Sequence, residues 1–249
     1  MYQQERMDEI VKILKENHYV TVDHLVEKIR YSPASIRRDL ALLEKQGMVV
    51  RSYGGVSLGN ANVSPFRFRQ HSMKIAKNAI AKKAATLVKE NDTVFVDGSS
   101  TTQYMGRYLL EKKNITVVTC NIILADFLSE HGVPTYCTGG KIVEYPGILG
   151  GHLMLDTLRK FSIDIAFCAS AGFALDGQIL SRGESGLLNY KFFRDHSKKL
   201  AYLCGSDKFG GEGKFIGMTL DDVDYFISDG DIPDALKQKY PNTVFLNTR

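Results

Sequence analysis

The stretch Tyr31-Ser-Pro-Ala-Ser-Ile-Arg-Arg-Asp-Leu-Ala-Leu-Leu-Glu44 decides how the N-terminal part of this chain folds. Ser32 is placed to cap a helix, because a serine hydroxyl accepts a hydrogen bond from an orphan backbone N–H of the first turn. Pro33 then takes the first helical position, where a missing N–H does no harm. Ile36, Leu40 and Leu43 recur at helical spacing and predict one buried stripe. Arg37 and Arg38 leave that stripe on the other side. A short capped helix with arginine in its N-terminal half is what a helix-turn-helix lays in the major groove of DNA.

The flanking residues supply the rest of such a motif. Arg6 to Glu16 carries Met7, Ile10, Val11 and Leu14 among charged residues, an amphipathic first helix. Val20-Thr21-Val22 is a short extended piece. Asp23 is expected to cap a second helix, Asp23 to Ile29, with Leu25, Val26 and Ile29 inward and Arg30-Tyr31 as the turn. Gly47 is expected to stop the third helix in a left-handed conformation. Met48 to Ser57 then gives two short extended runs about Gly54-Gly55, a β-wing. Helix, short strand, helix, helix, hairpin is the order of a winged helix.

Composition narrows the remaining possibilities. The 249 residues are enough for one small and one larger domain, and 44% hydrophobic content supports a sizeable core. No run of eighteen apolar residues suggests a membrane span, and the first residues hold no apolar signal-peptide core. Cys120, Cys137, Cys168 and Cys204 are widely spaced in strand-like runs, without a CxxC. They read as thiols of a reducing cytoplasm; no metal site and no cofactor is expected. Residues 1–58 hold 9 basic and 8 acidic residues, residues 59–90 hold 7 and 1, and residues 91–249 hold 16 and 19. DNA affinity would therefore depend on where Arg37, Arg38 and Arg51 stand rather than on bulk charge. The basic stretch Arg67, Arg69, Lys74, Lys77, Lys82, Lys83 either adds salt-dependent phosphate contacts or is a solvated helix face.

Gly59-Asn-Ala-Asn-Val-Ser-Pro65 is turn-rich and polar, the best domain boundary. The expected division is a DNA-binding domain at 1–58, a linker at 59–72 and a larger domain at 73–249. In the larger part a helix from Ile75 to Val88 precedes apolar strands at Thr93–Asp97, Ile115–Thr119, Thr135–Thr138, Ile163–Ala169, Leu200–Cys204 and Tyr225–Ser228, with further helices between. That alternation predicts a Rossmann-like parallel α/β sheet. Ligands of such sheets bind beyond the carboxyl ends of the strands. Asp97-Gly98-Ser99-Ser100-Thr101-Thr102 follows the first strand directly before a helix, so its small and hydroxyl side chains suit a phosphate. Taken alone it is equally a helix cap. Thr119 and Asn121, Gly139 and Gly140, Gly172, then Glu184, Lys191 and Lys208 add small, hydroxyl and basic residues at or after later strand ends. Together they suit a polyol phosphate.

Both halves resemble one family. Ser32 to Glu44, followed by Gly47 and Arg51-Ser-Tyr-Gly-Gly55, closely resembles the N-terminal signature of the DeoR family of bacterial transcriptional regulators. Ser35 stands where the family usually has Thr, and Tyr53 where it has His. The resemblance implies that the third helix reads base edges, with Ser32 and Ser35 near phosphate, and that Arg51 and Tyr53 anchor the wing. It continues through Asp97 with Ser100-Thr-Thr102, Thr119, Gly139-Gly140, Asp164 with Ala166-Phe167, Gly172 and Lys208-Phe-Gly210. In the family this region shares a fold with ribose-5-phosphate isomerase and senses a phosphorylated sugar or related metabolite. Ser99, Cys120, Tyr190-Lys191 and Gly205 depart from the usual Gly, Asn, basic pair and Asp. The implied function is a cytoplasmic repressor of carbohydrate genes, a dimer or tetramer on double-stranded operator DNA, with no membrane partner. A phosphosugar isomerase-like enzyme is the alternative. It needs a positioned carboxylate, yet Ala169-Ser-Ala-Gly-Phe173 holds none where isomerases carry an acidic run. An RNA-binding protein would want exposed aromatics or a strongly basic surface.

Overall fold

The computed structural model describes residues 2–17, 19–46, 48–52, 55–58, 66–70, 73–144 and 147–248, with only the backbone at Ser52, Arg67 and Phe68. The chain forms two compact units, Met1–Ser72 and Met73–Arg249.

The first unit runs α1 (Gln3–Asn17), β1 (Tyr19–Thr21), α2 (Val22–Ile29), α3 (Pro33–Lys45), β2 (Val49–Ser52), β3 (Gly55–Leu58) and a single turn, α4 (Phe66–Arg69). The three strands form an antiparallel sheet in the order β1-β3-β2. The cap of α3 is Ser32, whose Oγ accepts from the Ser35 N–H at 3.2 Å, with Pro33 opening the helix. The cap of α2 is Thr21 rather than Asp23: its Oγ1 accepts from the His24 N–H at 3.0 Å. Thr21 ends a strand in extended conformation, which aims its hydroxyl at the third N–H, while Asp23 is already inside the first turn. Arg30 closes α2 at φ 58° and its N–H reaches Val26 O. Gly47 and the wing tip Tyr53-Gly54 lie outside the described residues.

Met7, Ile10, Leu14, Leu25, Ile29, Ile36, Leu40, Leu43, Val49 and Val56 form the core of this unit. One charged group joins them: Asp39 of α3 is fully buried. Arg6 of α1 meets it through Nη2 at 3.0 Å and through Nε, and Gln3 Nε2 donates at 3.1 Å. The Arg6 guanidinium also lies 4.6 Å above the Tyr31 ring. A buried carboxylate tolerates its desolvation only with such partners.

In the second unit α5 (Lys74–Ala85) precedes β4 (Thr93–Val96). A 3₁₀ turn (Thr102–Met105) and a single α-turn, α6 (Gly106–Leu109), lead to β5 (Thr116–Thr119), α7 (Ile122–Glu130) and β6 (Thr135–Cys137). A hairpin of β7 (Lys141–Glu144) and β8 (Ile148–Gly150) leads through α8 (His152–Leu158) to β9 (Ile163–Cys168). Then follow β10 (Gly172–Phe173), β11 (Gln178–Ser181), α9 (Glu184–Asp195), β12 (Ser197–Cys204), β13 (Phe215–Thr219), β14 (Tyr225–Ser228), α10 (Asp234–Lys239) and β15 (Val244–Asn247).

Seven strands form one parallel sheet in the order β15-β14-β12-β9-β4-β5-β6. Alternation along each strand divides the core into two layers. Phe95, Val118, Ala166, Tyr202 and Phe226 meet Met154 and Leu158 of α8, Phe192 and Phe193 of α9 and Leu236 of α10. Their neighbours Val94, Val96, Val117, Phe167, Leu203 and Ile227 meet Ile80 and Ala84 of α5, Leu109 of α6 and Leu124 of α7. Helices on both faces explain why these strands read as continuous apolar runs. The antiparallel set β10-β11-β13 and the hairpin β7-β8 lie outside this sheet. Cys120, Cys168 and Cys204 are buried and Cys137 is exposed. Burial pushes the Cys120, Cys168 and Cys204 thiols up.

Candidate functional site

On α3 the stripe Ile36, Leu40 and Leu43 is 0 to 1% exposed, so the opposite face must carry Arg37 and Arg38 into solvent. Neither arginine makes a hydrogen bond or ion pair among the described residues. Ser32 and Ser35 meet through their hydroxyls at 3.0 Å at the start of the same helix. Arg51 on β2 is engaged: its Nε and Nη2 contact Glu44 Oε2 at 2.7 and 2.6 Å, and its N–H donates to Oε1 at 3.1 Å. These bonds hold the Glu44 carboxyl below its usual range and tie the end of α3 to the wing. Tyr53 lies outside the described residues.

The second candidate site follows from the strand order. The chain starts the sheet at β4, builds outward through β5 and β6, and returns to β9 on the other side of β4. The β4/β9 boundary is therefore the switch point, where loops diverge and leave a crevice. Asp97 spans it. Its Oδ1 accepts from the Ser99 N–H at 2.9 Å and Thr102 Oγ1 at 2.6 Å, while Oδ2 accepts from the Ala169 N–H at 3.1 Å. Burial nevertheless pushes its carboxyl up, against the pull of those bonds. Asp97 is thus spent inside the protein, shaping the loop after β4 and fastening it to the loop after β9.

The remaining residues divide by what they touch. Ser99 Oγ accepts from the Thr102 N–H at 3.0 Å at the start of the 3₁₀ turn, and the Thr102 hydroxyl is turned back to Asp97. Thr119 Oγ1 donates to Val96 O at 2.7 Å, and Asn121 Oδ1 caps α7 while its Nδ2 donates to Gln103 Oε1 at 3.0 Å. Ser100 and Thr101 differ. The hydroxyl of Thr101 and the N–H groups of Ser100 and Thr101 have no partner among the described residues. Gly98 makes room for β8: a Cβ there would stand 2.3 Å from Ile148 Cγ2. Gly140, at φ +132°, lets the hairpin close, with a Cβ only 2.6 Å from Gly150 O. Gly139 is unstrained, and Gly172 packs on the backbone of Gly211-Glu212.

Glu184 is exposed in the first turn of α9. Lys191, on the outer side of that helix, is ion-paired to Asp195 at 2.8 Å with 77% of its side chain exposed. Lys208 pairs with Asp207 at 2.9 Å in the turn after β12. Among the described residues no hydrogen bond or ion pair joins any of the three to the Asp97–Thr102 loop. Tyr190, beside Lys191, turns inward and donates to Ala169 O at 3.1 Å.

Sequence reasoning missed Lys77. It stands in the basic run that follows the linker, yet it is only 5% exposed. Its Nζ donates to Ser100 Oγ at 3.1 Å, because α5 packs on the 3₁₀ turn. The available signal was its register: Lys77 lies three residues before Ile80 and seven before Ala84, on the inward face of α5.

Among the described residues no helix is long and apolar enough to cross a membrane, and no group of three metal-ligating side chains occurs. The pattern of the DeoR-like helix-turn-helix domain matches residues 6–61, and that of the DeoR C terminal sensor domain matches residues 73–230. The HTH-type transcriptional repressor GlcR of Bacillus subtilis is 29% identical over 232 residues, covering 92% of this chain and 89% of that protein. The glycerol-3-phosphate regulon repressor of Escherichia coli is 27% identical over 240 residues, covering 96% and 95%. A solved ribose 5 phosphate isomerase A from Neisseria gonorrhoeae aligns with 55% of this chain and 53% of its own at 17% identity, TM-score 0.39. Matched along both units, and with regulators rather than enzymes as its full-length relatives, the chain belongs to the DeoR family of DNA-binding transcriptional regulators.

Proposed function

We propose that this protein represses genes of sugar metabolism in the cytoplasm and is released from its operator by a phosphorylated sugar or related metabolite. Residues 1–58 act as the DNA-binding domain, 59–72 as the linker and 73–249 as the sensing and oligomerising domain. The observation that carries the reading is the Arg37–Arg38 pair. Two exposed guanidinium groups without partners among the described residues stand on a helix whose other face is fully committed to the core. Arginine in that setting pairs with guanine edges or phosphates. Ser32 and Ser35 sit where the same helix would approach the backbone, and Arg51 and Tyr53 belong to the wing.

The effector binds at the β4/β9 switch point, where Ser100 and Thr101 supply uncommitted donors. Asp97, Ser99, Thr102, Thr119 and Asn121 build that wall through internal hydrogen bonds. The glycines 98, 139, 140 and 172 set its contour, and Glu184, Lys191 and Lys208 complete the proposed site. The effector can change DNA affinity only by binding two arrangements of the protein unequally. A symmetric operator asks for at least a dimer, and a tetramer satisfies the same geometry.

The test is fluorescence anisotropy of the full chain on labelled duplex from upstream of its own gene, titrated with a panel of sugar phosphates. Sequence-preferring binding relieved by one of them is the expected result. Equal affinity for operator and random duplex would overturn the repressor reading.

A further inference from the structure

The hairpin β7-β8 stands outside the large sheet, and nothing in the repressor reading uses its outer strand. Among the described residues β7 pairs only with β8, so its other edge is open. The strand reads Lys141-Ile-Val-Glu144. Strict alternation would put Ile142 and Val143 on opposite faces. The pairing instead slips between Ile142 and Glu144, a bulge, and both side chains stand in solvent, 55 and 60% exposed. Leu153, in the first turn of α8, is 65% exposed. The three belong to one region. Val143 lies over Gly150, where a Cβ would stand 3.0 Å from Val143 Cγ1, and Leu153 follows that glycine by three residues. Adjacent exposed apolar side chains on an open strand edge favour association.

The charges say what covers this face. Lys141 opens the strand and makes no hydrogen bond or ion pair among the described residues. Glu144, half-buried, closes it. Positive, apolar, apolar, negative is its own complement once the strand is reversed. A second copy, turned by a two-fold axis between Ile142 and Val143, sets each lysine against the other copy's glutamate and apolar against apolar. A parallel copy would set like charges side by side. A wholly acidic or wholly basic partner would meet repulsion at one end.

We propose that β7 and the start of α8 form an isologous interface with a second copy of this chain. Lys141 of each protomer faces Glu144 of the partner subunit around an apolar centre of Ile142, Val143 and Leu153. This rests on the dimer named above and gives it a surface.

The test is sedimentation equilibrium of the full chain at fixed ionic strength. Wild type is expected to self-associate. Lys141→Glu and Glu144→Lys each enter the dimer twice and turn attraction into repulsion, so each should raise the dissociation constant about fivefold or more. The double variant restores both pairs with signs exchanged and should return to within about threefold of wild type, a rescue that mere loss of local packing would not give. A smaller loss in the single variants, or a double variant as weak as either, would overturn this interface and leave a dimer built elsewhere. A monomeric wild type would overturn dimer and interface together. Single variants that unfold earlier in urea with unchanged association would mean that the chain itself covers the face, and would overturn the proposal too. Sequence-preferring operator binding, measured on the same samples, tests the repressor reading separately.

Discussion

Replacing Arg6 by Met should unfold the DNA-binding unit at a lower denaturant concentration than wild type, and the structure sets the size of the effect. Asp39 has no exposed side-chain area, and among the described residues Arg6 gives it two hydrogen bonds and Gln3 a third. Without Arg6, a buried carboxylate keeps one neutral donor. Breaking a buried pair from one side costs about 3–5 kcal/mol. A unit of this size commands roughly 5 kcal/mol in all, at about 0.05–0.15 kcal/mol per residue. Arg6→Met should therefore bring the unit close to the unfolding midpoint, while the α/β unit keeps its own transition. The reverse change, Asp39→Leu, should cost less, because Arg6 keeps 11% of its side chain in water and can swing out. The double variant should recover most of the loss, since apolar replacement of a buried pair is often neutral. Urea unfolding of the full chain followed by far-UV circular dichroism reads the stabilities, and hydrogen exchange of α1 and α3 assigns the transition. Operator affinity should fall in step, because α1 holds α3 through this pair. A loss below about 1 kcal/mol for Arg6→Met, or a double variant as unstable as the sum of the singles, would refute the reasoning.

Three further outcomes can be checked together. Arg37→Ala should cost about 1–3 kcal/mol of specific operator binding if it reads a base, and equal losses on operator and random duplex would make it a phosphate contact. Glu44→Ala releases Arg51 and should strengthen duplex binding at low salt with a steeper salt dependence, both read by anisotropy; unchanged slopes would mean Arg51 never reaches phosphate. Asp97 has its carboxyl pushed up by burial, so its contribution is fully present below the ordinary carboxylate range and is lost as pH rises through the raised value. The stability advantage of wild type over Asp97→Asn should accordingly shrink as pH rises above the ordinary carboxylate range in urea unfolding, and a growing advantage would reverse the assignment.

What could be read from the sequence was what is local. Ser32-Pro33 and the Ile36, Leu40, Leu43 repeat declare α3 within a dozen residues, and strands buried on both faces announce themselves as apolar runs. Asp39 was illegible: in sequence it is one more charge after two arginines, and its partner Arg6 lies 33 residues away. Lys77 was hidden among lysines for the same reason, since only the packing of α5 on the turn after β4 separates it from Lys82 and Lys83. Gly98 and Gly140 looked like open phosphate-loop glycines, but each makes room for the β7-β8 hairpin, whose short strands give little periodic signal. Thr119 and Asn121 were placed at a strand end from sequence, and the structure adds that their polar atoms are used for capping and for bridging to Val96.

The distribution of thiols has a practical side. Three cysteines are sealed in the core with their thiolate forms suppressed, and Cys137 is exposed at the carboxyl end of β6. The native chain should react once with a maleimide, without any engineered change. A dye there would sit next to Thr138-Gly139-Gly140, on the side of the sheet where the loops converge. The protein thus carries its own attachment point for an optical reporter of effector occupancy.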